Sequence, residues 1–157
     1  MRVSLLRVLA VAGVMANTIA PSQAAAARCS LSGTSGSWAY TYSGTIFTPA
    51  GPVPAASVGR FSQNTGGNVT GSQTRTVAGV SGVEDISGSV SLNGDCSATA
   101  TIDVSSNGQV TRSAVLALVY DDNQKKARGI FQSLTLPNGT DVPVVITIDL
   151  ARVFPKD

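Results

Sequence analysis

The sequence predicts an all-β protein that folds as a single antiparallel, eight-stranded up-and-down barrel, with a β-sandwich as the alternative. Three observations predict it. The segments are short and rich in Val, Thr, Ser and Tyr. Apolar and polar side chains alternate along them at a period of two, and clusters of Gly, Asn, Asp and Pro separate them. Because closing the sheet removes its exposed edges, a barrel is favoured over a sandwich.

The first 27 residues have the pattern of a secretory signal peptide. Arg2 and Arg7 give the first seven residues a positive charge, and residues 8–15 form an apolar run too short to cross a bilayer. Small residues follow and predict cleavage between about residues 24 and 27. We therefore expect a signal peptide over 1–27 and a barrel domain over 28–157, secreted to the extracellular space, or to the periplasm of a bacterium. An uncleaved N-terminal anchor is the alternative.

Two cysteines, Cys29 and Cys96, follow the predicted leader. An even number of cysteines in an exported chain predicts a disulfide bond between them. The alternative, a reactive or metal-binding thiol pair, lacks support because the chain has no histidine and no Cys-x-x-Cys spacing. We expect no metal and no cofactor.

Eight segments in chain order have the residue types and alternation of strands, and no segment predicts a helix of substantial length. They are residues 37–46, 55–63, 68–76, 83–92, 96–104, 110–120, 127–136 and 144–154.

The connections carry the residues of tight hairpins. Asn93-Gly94, Asn107-Gly108 and Asn138-Gly139 predict type I′ turns, and Gly66-Gly67 predicts a similar one. Three prolines predict that the first connection is the longest irregular one: Pro49, Pro52 and Pro54.

The alternation also predicts which side chains face the core. Trp38, Tyr40 and Tyr42 share one face of the first strand and are expected to point inward, where they could contact a ligand. Alternate residues of 116–120 share one face of the sixth strand. The last strand is apolar on both faces and is predicted to be buried on both sides.

Four stretches resemble a known group of proteins. Residues 36–45 (GSWAYTYSGT), 56–61 (ASVGRF), 66–71 (GGNVTG) and 95–97 (DCS) resemble exported microbial proteins of the allene oxide cyclase-like, calycin-type barrel group. The resemblance covers about the first two thirds of the predicted mature chain. It implies a β-barrel, and by analogy with allene oxide cyclases a small apolar substrate held inside it. No catalytic residue of those enzymes can be matched to a position here.

A second, shorter resemblance concerns residues 28–33 (RCSLSG), which are similar to the opening of avidin, another secreted eight-stranded barrel with one disulfide. Several tryptophans wall the biotin pocket of that family, whereas Trp38 is the only tryptophan of this chain. Biotin binding is therefore not expected.

Few residues are suited to catalysis. Without histidine there is no Ser-His-Asp triad, so acid-base chemistry would fall to carboxylates, tyrosines or lysines. Asp103 and Asp149 lie within predicted strands and are the catalytic candidates if they face the lumen; the alternative is that they face solvent. Glu84-Asp85 is interpreted as a strand start and Asp121-Asp122 as a turn.

The charge pattern excludes some partners. Of eleven basic residues two lie in the leader, which leaves nine against nine acidic ones. They are spread without a basic stripe, so we expect no nucleic-acid partner. No apolar stretch after the leader approaches the roughly 20 residues of a membrane span, so we expect none. Asn68 and Asn138 begin glycosylation sequons. Three functions remain open: binding of a small apolar ligand in the lumen, an allene oxide cyclase-like cyclase or isomerase, and a non-catalytic surface or matrix protein.

Overall fold

The structure is a computed structural model that describes residues 29–121 and 123–153. It is a closed antiparallel barrel in which each strand pairs with the next and β8 pairs with β1. This confirms the up-and-down barrel and excludes the sandwich. The predicted signal peptide lies outside the described residues. Within them, no helix is long and apolar enough to cross a membrane.

All eight predicted strands are present, most of them longer than predicted. A one-turn helix, α1, precedes them. The elements are α1 (Leu31–Thr34), β1 (Gly36–Thr48), β2 (Gly51–Gln63), β3 (Asn68–Val77), β4 (Val80–Leu92), β5 (Ser97–Ser106), β6 (Gln109–Tyr120), β7 (Lys126–Thr135) and β8 (Val144–Arg152).

One predicted type I′ turn is confirmed and two are wrong. Asn107 and Gly108 both have positive φ, 52° and 77°, as a type I′ turn requires. At Asn93-Gly94 and Asn138-Gly139 the turn is longer and ends on a single left-handed residue, Cys96 or Gly139. The N–H of that residue donates to a carbonyl three residues earlier, at 3.1 Å and 2.9 Å. Loops of this length use one left-handed residue instead of two.

The prediction of a long, proline-rich first connection is wrong. β1 and β2 pair without a break as far as Thr48 and Gly51, so only two residues connect them. Pro52 and Pro54 lie inside β2. The Pro54 carbonyl accepts from Ala78 N, just beyond the end of β3. The edge of β2 on which the prolines lack an N–H group therefore faces a region where the pairing of β2 with β3 has already ended, and no hydrogen bond of the sheet is lost there. The longest connection is instead residues 136–143, between β7 and β8.

The inward face of each strand fills the lumen. Trp38, Tyr40 and Tyr42 are buried, as predicted, and so are the alternate residues of 116–120. β8 is buried on one face only: Ile148 is buried, whereas Val145 is 66% exposed. The prediction of two-sided burial is therefore wrong, because the outer face of a single-layer barrel meets solvent.

One end of the lumen, here named the plug end, is closed by α1. The predicted disulfide between Cys29 and Cys96 is present and ties the start of the domain to the β4–β5 connection. Trp38, fully buried, donates from Nε1 to the Thr34 carbonyl at 2.9 Å. The Arg152 guanidinium also donates to the carbonyl of Gly33 at 2.7 Å. The opposite end, named the turn end, carries the β3–β4 and β5–β6 turns.

Candidate functional site

A cavity of about 60 Å³ lies inside the barrel. All eight strands contribute to its wall, which is mostly aliphatic and aromatic. A water molecule takes up about 30 Å³ in the liquid, so the cavity has room for roughly two waters or for one small organic molecule of a few non-hydrogen atoms. Its lining residues are Tyr40, Tyr42, Phe61, Val69, Gln73, Ile86, Val90, Ala100, Ile102, Val104, Arg112, Ala114, Leu116, Leu118, Tyr120, Phe131, Ile148 and Leu150.

An ion pair lies towards the turn end of this lumen. Glu84 of β4 accepts from both terminal nitrogens of Arg112 of β6, with Nη1 at 2.8 Å. The Glu84 side chain is 11% exposed and that of Arg112 is 8% exposed. Arg75 of β3 adds a second cation, with Nε at 3.5 Å from Glu84 Oε1. Two arginines therefore share one carboxylate in a largely buried position.

Gln73 links this ion pair to Tyr40. Its Nε2 donates to Glu84 Oε2 at 2.8 Å, and its Oε1 accepts from the Tyr40 hydroxyl at 2.9 Å and from Ser57 Oγ at 3.1 Å. We name the connected set of six side chains the lumen polar cluster: Tyr40, Ser57, Gln73, Arg75, Glu84 and Arg112.

The alternation of each strand places these side chains inward. Glu84 is two residues from buried Ile86, and Arg112 is two residues from buried Ala114. Gly59 gives the Tyr40 ring its space, because a Cβ atom at position 59 would lie 2.5 Å from Tyr40 Cζ. A glycine at that point of β2 is therefore required for the ring to reach Gln73.

The environment of the lumen raises the pKa values of its tyrosines and lowers those of Glu84 and Arg75. Burial raises the pKa of Tyr40 and of Tyr42. Burial alone would also raise the pKa of Glu84, but hydrogen bonds from Arg112 and Gln73 and the charge of both arginines lower it below its ordinary value. At neutral pH the cluster thus holds an ionised carboxylate beside neutral phenols.

Tyrosine ionisation provides a direct test of this lumen. The chain has three tyrosines, and burial raises the pKa of each, that of Tyr120 to about 12. Spectrophotometric titration of the folded protein should show much less tyrosinate at pH 10 than the urea-unfolded control, which is about half ionised there. Because the folded pKa values lie above the unfolded ones, their contribution to stability is complete below about pH 10 and is lost as the pH rises further. Two tyrosines ionising near pH 10 in the folded protein would contradict this lumen.

The structure separates the three aromatic residues predicted to contact a ligand. Tyr40 and Tyr42 line the cavity. Trp38 does not line the cavity but lies behind Phe61 and Tyr120, which do. Its ring centre is 6.3 Å from that of Phe61 and 5.6 Å from that of Tyr120. A ligand in the cavity would therefore contact the two tyrosines, with Trp38 supporting the wall from the plug end.

The two predicted catalytic carboxylates lie on the outer face of the barrel. Asp103 lies between inward-facing Ile102 and Val104 and accepts from Ser113 Oγ. Asp149 is 3.4 Å from Arg128 Nε, with both side chains exposed. A role in the lumen would require these side chains to point inward, and neither Asp103 nor Asp149 does. Their position matches the alternative, in which they face outward.

The inward carboxylate is Glu84, which the sequence interpretation placed at a strand start. The predicted strand began at residue 83, whereas β4 begins at Val80. Extending the alternation of Ile86 and Val90 backwards would have placed Glu84 on the inward face. The same rule applied from Ala114 would have placed Arg112 there.

Metal binding has no support within the described residues 29–121 and 123–153, which contain no group of three or more His, Cys, Asp or Glu side chains able to hold an ion. In comparisons with known proteins, no family model matches the chain and no curated protein matches it significantly. The assignment of a function therefore depends on the chemistry of the lumen.

Proposed function

We propose that the protein binds a small apolar molecule in the barrel lumen. The cavity supports this function, because its wall is aliphatic and aromatic and its polar atoms are gathered towards one end. Ligand sites typically combine apolar walls with a few well-placed polar groups that fix orientation. An engineered cavity that binds benzene measures about 150 Å³. At about 60 Å³ this site suits a short or branched chain of a few carbon atoms, well below drug size.

The pKa values favour binding over acid-base catalysis. A general acid or base is most effective when its pKa lies near the working pH. The pKa of Glu84 lies below its ordinary value and that of Tyr40 lies above its own, so both are displaced away from neutrality. At neutral pH these groups act as a fixed acceptor and a fixed donor.

A cyclase or isomerase resembling the allene oxide cyclases is the second candidate. The observation that favours it is the direct contact between an apolar cavity and an ordered polar cluster, because such a site can hold a reactive molecule in one conformation. Orientation of that kind requires no proton transfer from the protein. Turnover of a bound compound would distinguish this function from simple binding.

We also infer that the barrel acts outside the reducing cytosol. The disulfide between Cys29 and Cys96 supports this location, because such bonds persist mainly in oxidising compartments. Together with the signal-peptide pattern of residues 1–27, it is consistent with secretion.

Filling the cavity should abolish binding. In Ala100→Leu, three added carbon atoms enter the lumen from β5, and we expect at least about a tenfold loss of affinity for the best compound in a panel of isoprene, 2-butanone and isobutanol. Calorimetry and ligand-observed NMR would measure it. Ala56→Leu adds the same three carbon atoms on the exposed face of β2 and should bind normally. Equal affinity in both variants, or no binding by the unchanged protein, would overturn the proposed function.

A further inference from the structure

The lumen polar cluster carries a net positive charge. Arg75 and Arg112 contribute two positive charges, and Glu84 contributes one negative charge. Among the described residues, Glu84 is also the only carboxylate whose charge acts on Tyr40, Tyr42 and Arg75. Asp85 is exposed and Asp103 lies on the outer face, so neither neutralises the excess charge from inside.

Donor groups remain available beside the cavity. A guanidinium has five N–H groups. Three of the N–H groups of Arg112 donate to Glu84 or Thr111, which leaves two without an acceptor among the described side chains. Arg112 itself lines the cavity. Tyr42 lines the cavity too and is within electrostatic range of both arginines. Arg112 therefore offers N–H groups to the cavity itself, whereas Arg75 lies outside the lining and adds its charge from behind Glu84.

We infer that the ligand carries one carboxylate, which pairs with Arg112 beside Tyr42 and within the electrostatic range of Arg75, while its apolar part fills the cavity. This inference rests on the proposed function. A buried charge is stable only when it is paired, and one carboxylate neutralises the surplus of one positive charge. Guanidinium groups also match the planar carboxylate geometrically. A phosphate dianion would overcompensate the charge, so the substrate class is a small apolar monocarboxylic acid.

Matched acids and alcohols test the inference. Isobutyrate and isobutanol form one pair, and isovalerate and 3-methylbutanol form a second, longer pair. Titration calorimetry at neutral pH should show the acid of at least one pair binding about tenfold or more tightly than its alcohol, because charge-assisted hydrogen bonds are stronger than neutral ones. Arg75→Gln brings the net charge of the cluster to zero and should remove most of that preference by weakening the acid far more than its alcohol. Arg75 is preferred to Arg112 for this test because its side chain is 26% exposed and makes a longer contact with Glu84.

Each outcome has a distinct meaning. Arg128→Gln, on the exposed outer face, is the control and should keep the preference for the acid. Equal affinity for acid and alcohol in the unchanged protein would overturn the carboxylate inference and leave lumen binding intact. Retention of the full preference in Arg75→Gln would overturn the role of Arg75. Absence of binding by all four compounds, and by the uncharged panel above, would overturn the proposed function itself.

Discussion

Arg112→Met is expected to lower the free energy of unfolding by about 3–5 kcal/mol, because it leaves the carboxylate of Glu84 in the lumen without its bidentate partner. Methionine keeps much of the length of the side chain and removes its charge. Arg75, 3.5 Å from Glu84, and the amide of Gln73 remain, and they place the loss nearer the lower end of that range.

Urea unfolding at neutral pH would measure the loss, with two controls. The double variant Glu84→Gln/Arg112→Met removes both charges and should recover a large part of the stability. Arg128→Met breaks an ion pair whose side chains are 89% and 68% exposed and should cost at most about 1 kcal/mol. A double variant as unstable as Arg112→Met would show that the loss comes from packing and not from the unpaired charge.

The architecture was predictable because its signals are local. Alternation at period two and the turn dipeptides identified all eight strands, and they also placed Tyr40 and Tyr42 inward. The prediction at Pro52 and Pro54 was wrong because a proline is incompatible with a strand only where its missing N–H group faces a partner strand. Here that side of β2 lies beyond the end of β3. Which side of a strand lacks a neighbour is a property of the assembled sheet.

The lumen polar cluster was only partly accessible to the same signals. The inward orientation of Glu84 follows from alternation with Ile86, and the outward orientation of Asp149 follows from alternation with Ile148 and Leu150. The pairing of Glu84 with Arg112 does not follow, because β4 and β6 are not neighbours and β5 lies between them. Contacts across a lumen depend on the stagger of the closed sheet, which no single segment encodes.

Replacement of both cysteines, Cys29→Ser/Cys96→Ser, is expected to lower the free energy of unfolding by about 4 kcal/mol. The bond joins residues 67 positions apart, and the stabilisation expected from restricting the unfolded chain grows with the length of the closed loop. Changing both residues avoids a lone reactive thiol. Urea unfolding of the double variant should agree with that of the unchanged protein under reducing conditions.

The same variant should loosen the plug end more than the rest of the barrel. The disulfide fixes the residue that precedes α1, and the carbonyl of Thr34 in α1 accepts the indole N–H of Trp38. Hydrogen exchange of that indole should therefore accelerate more than exchange of backbone amides in β4 beside Glu84, at the opposite end of the lumen. Equal acceleration at both ends would show that the bond stabilises the barrel only through its unfolded state. A loss below about 1 kcal/mol with the indole still protected would show that the hydrogen bonds of Arg152 and Trp38 hold the plug without the disulfide.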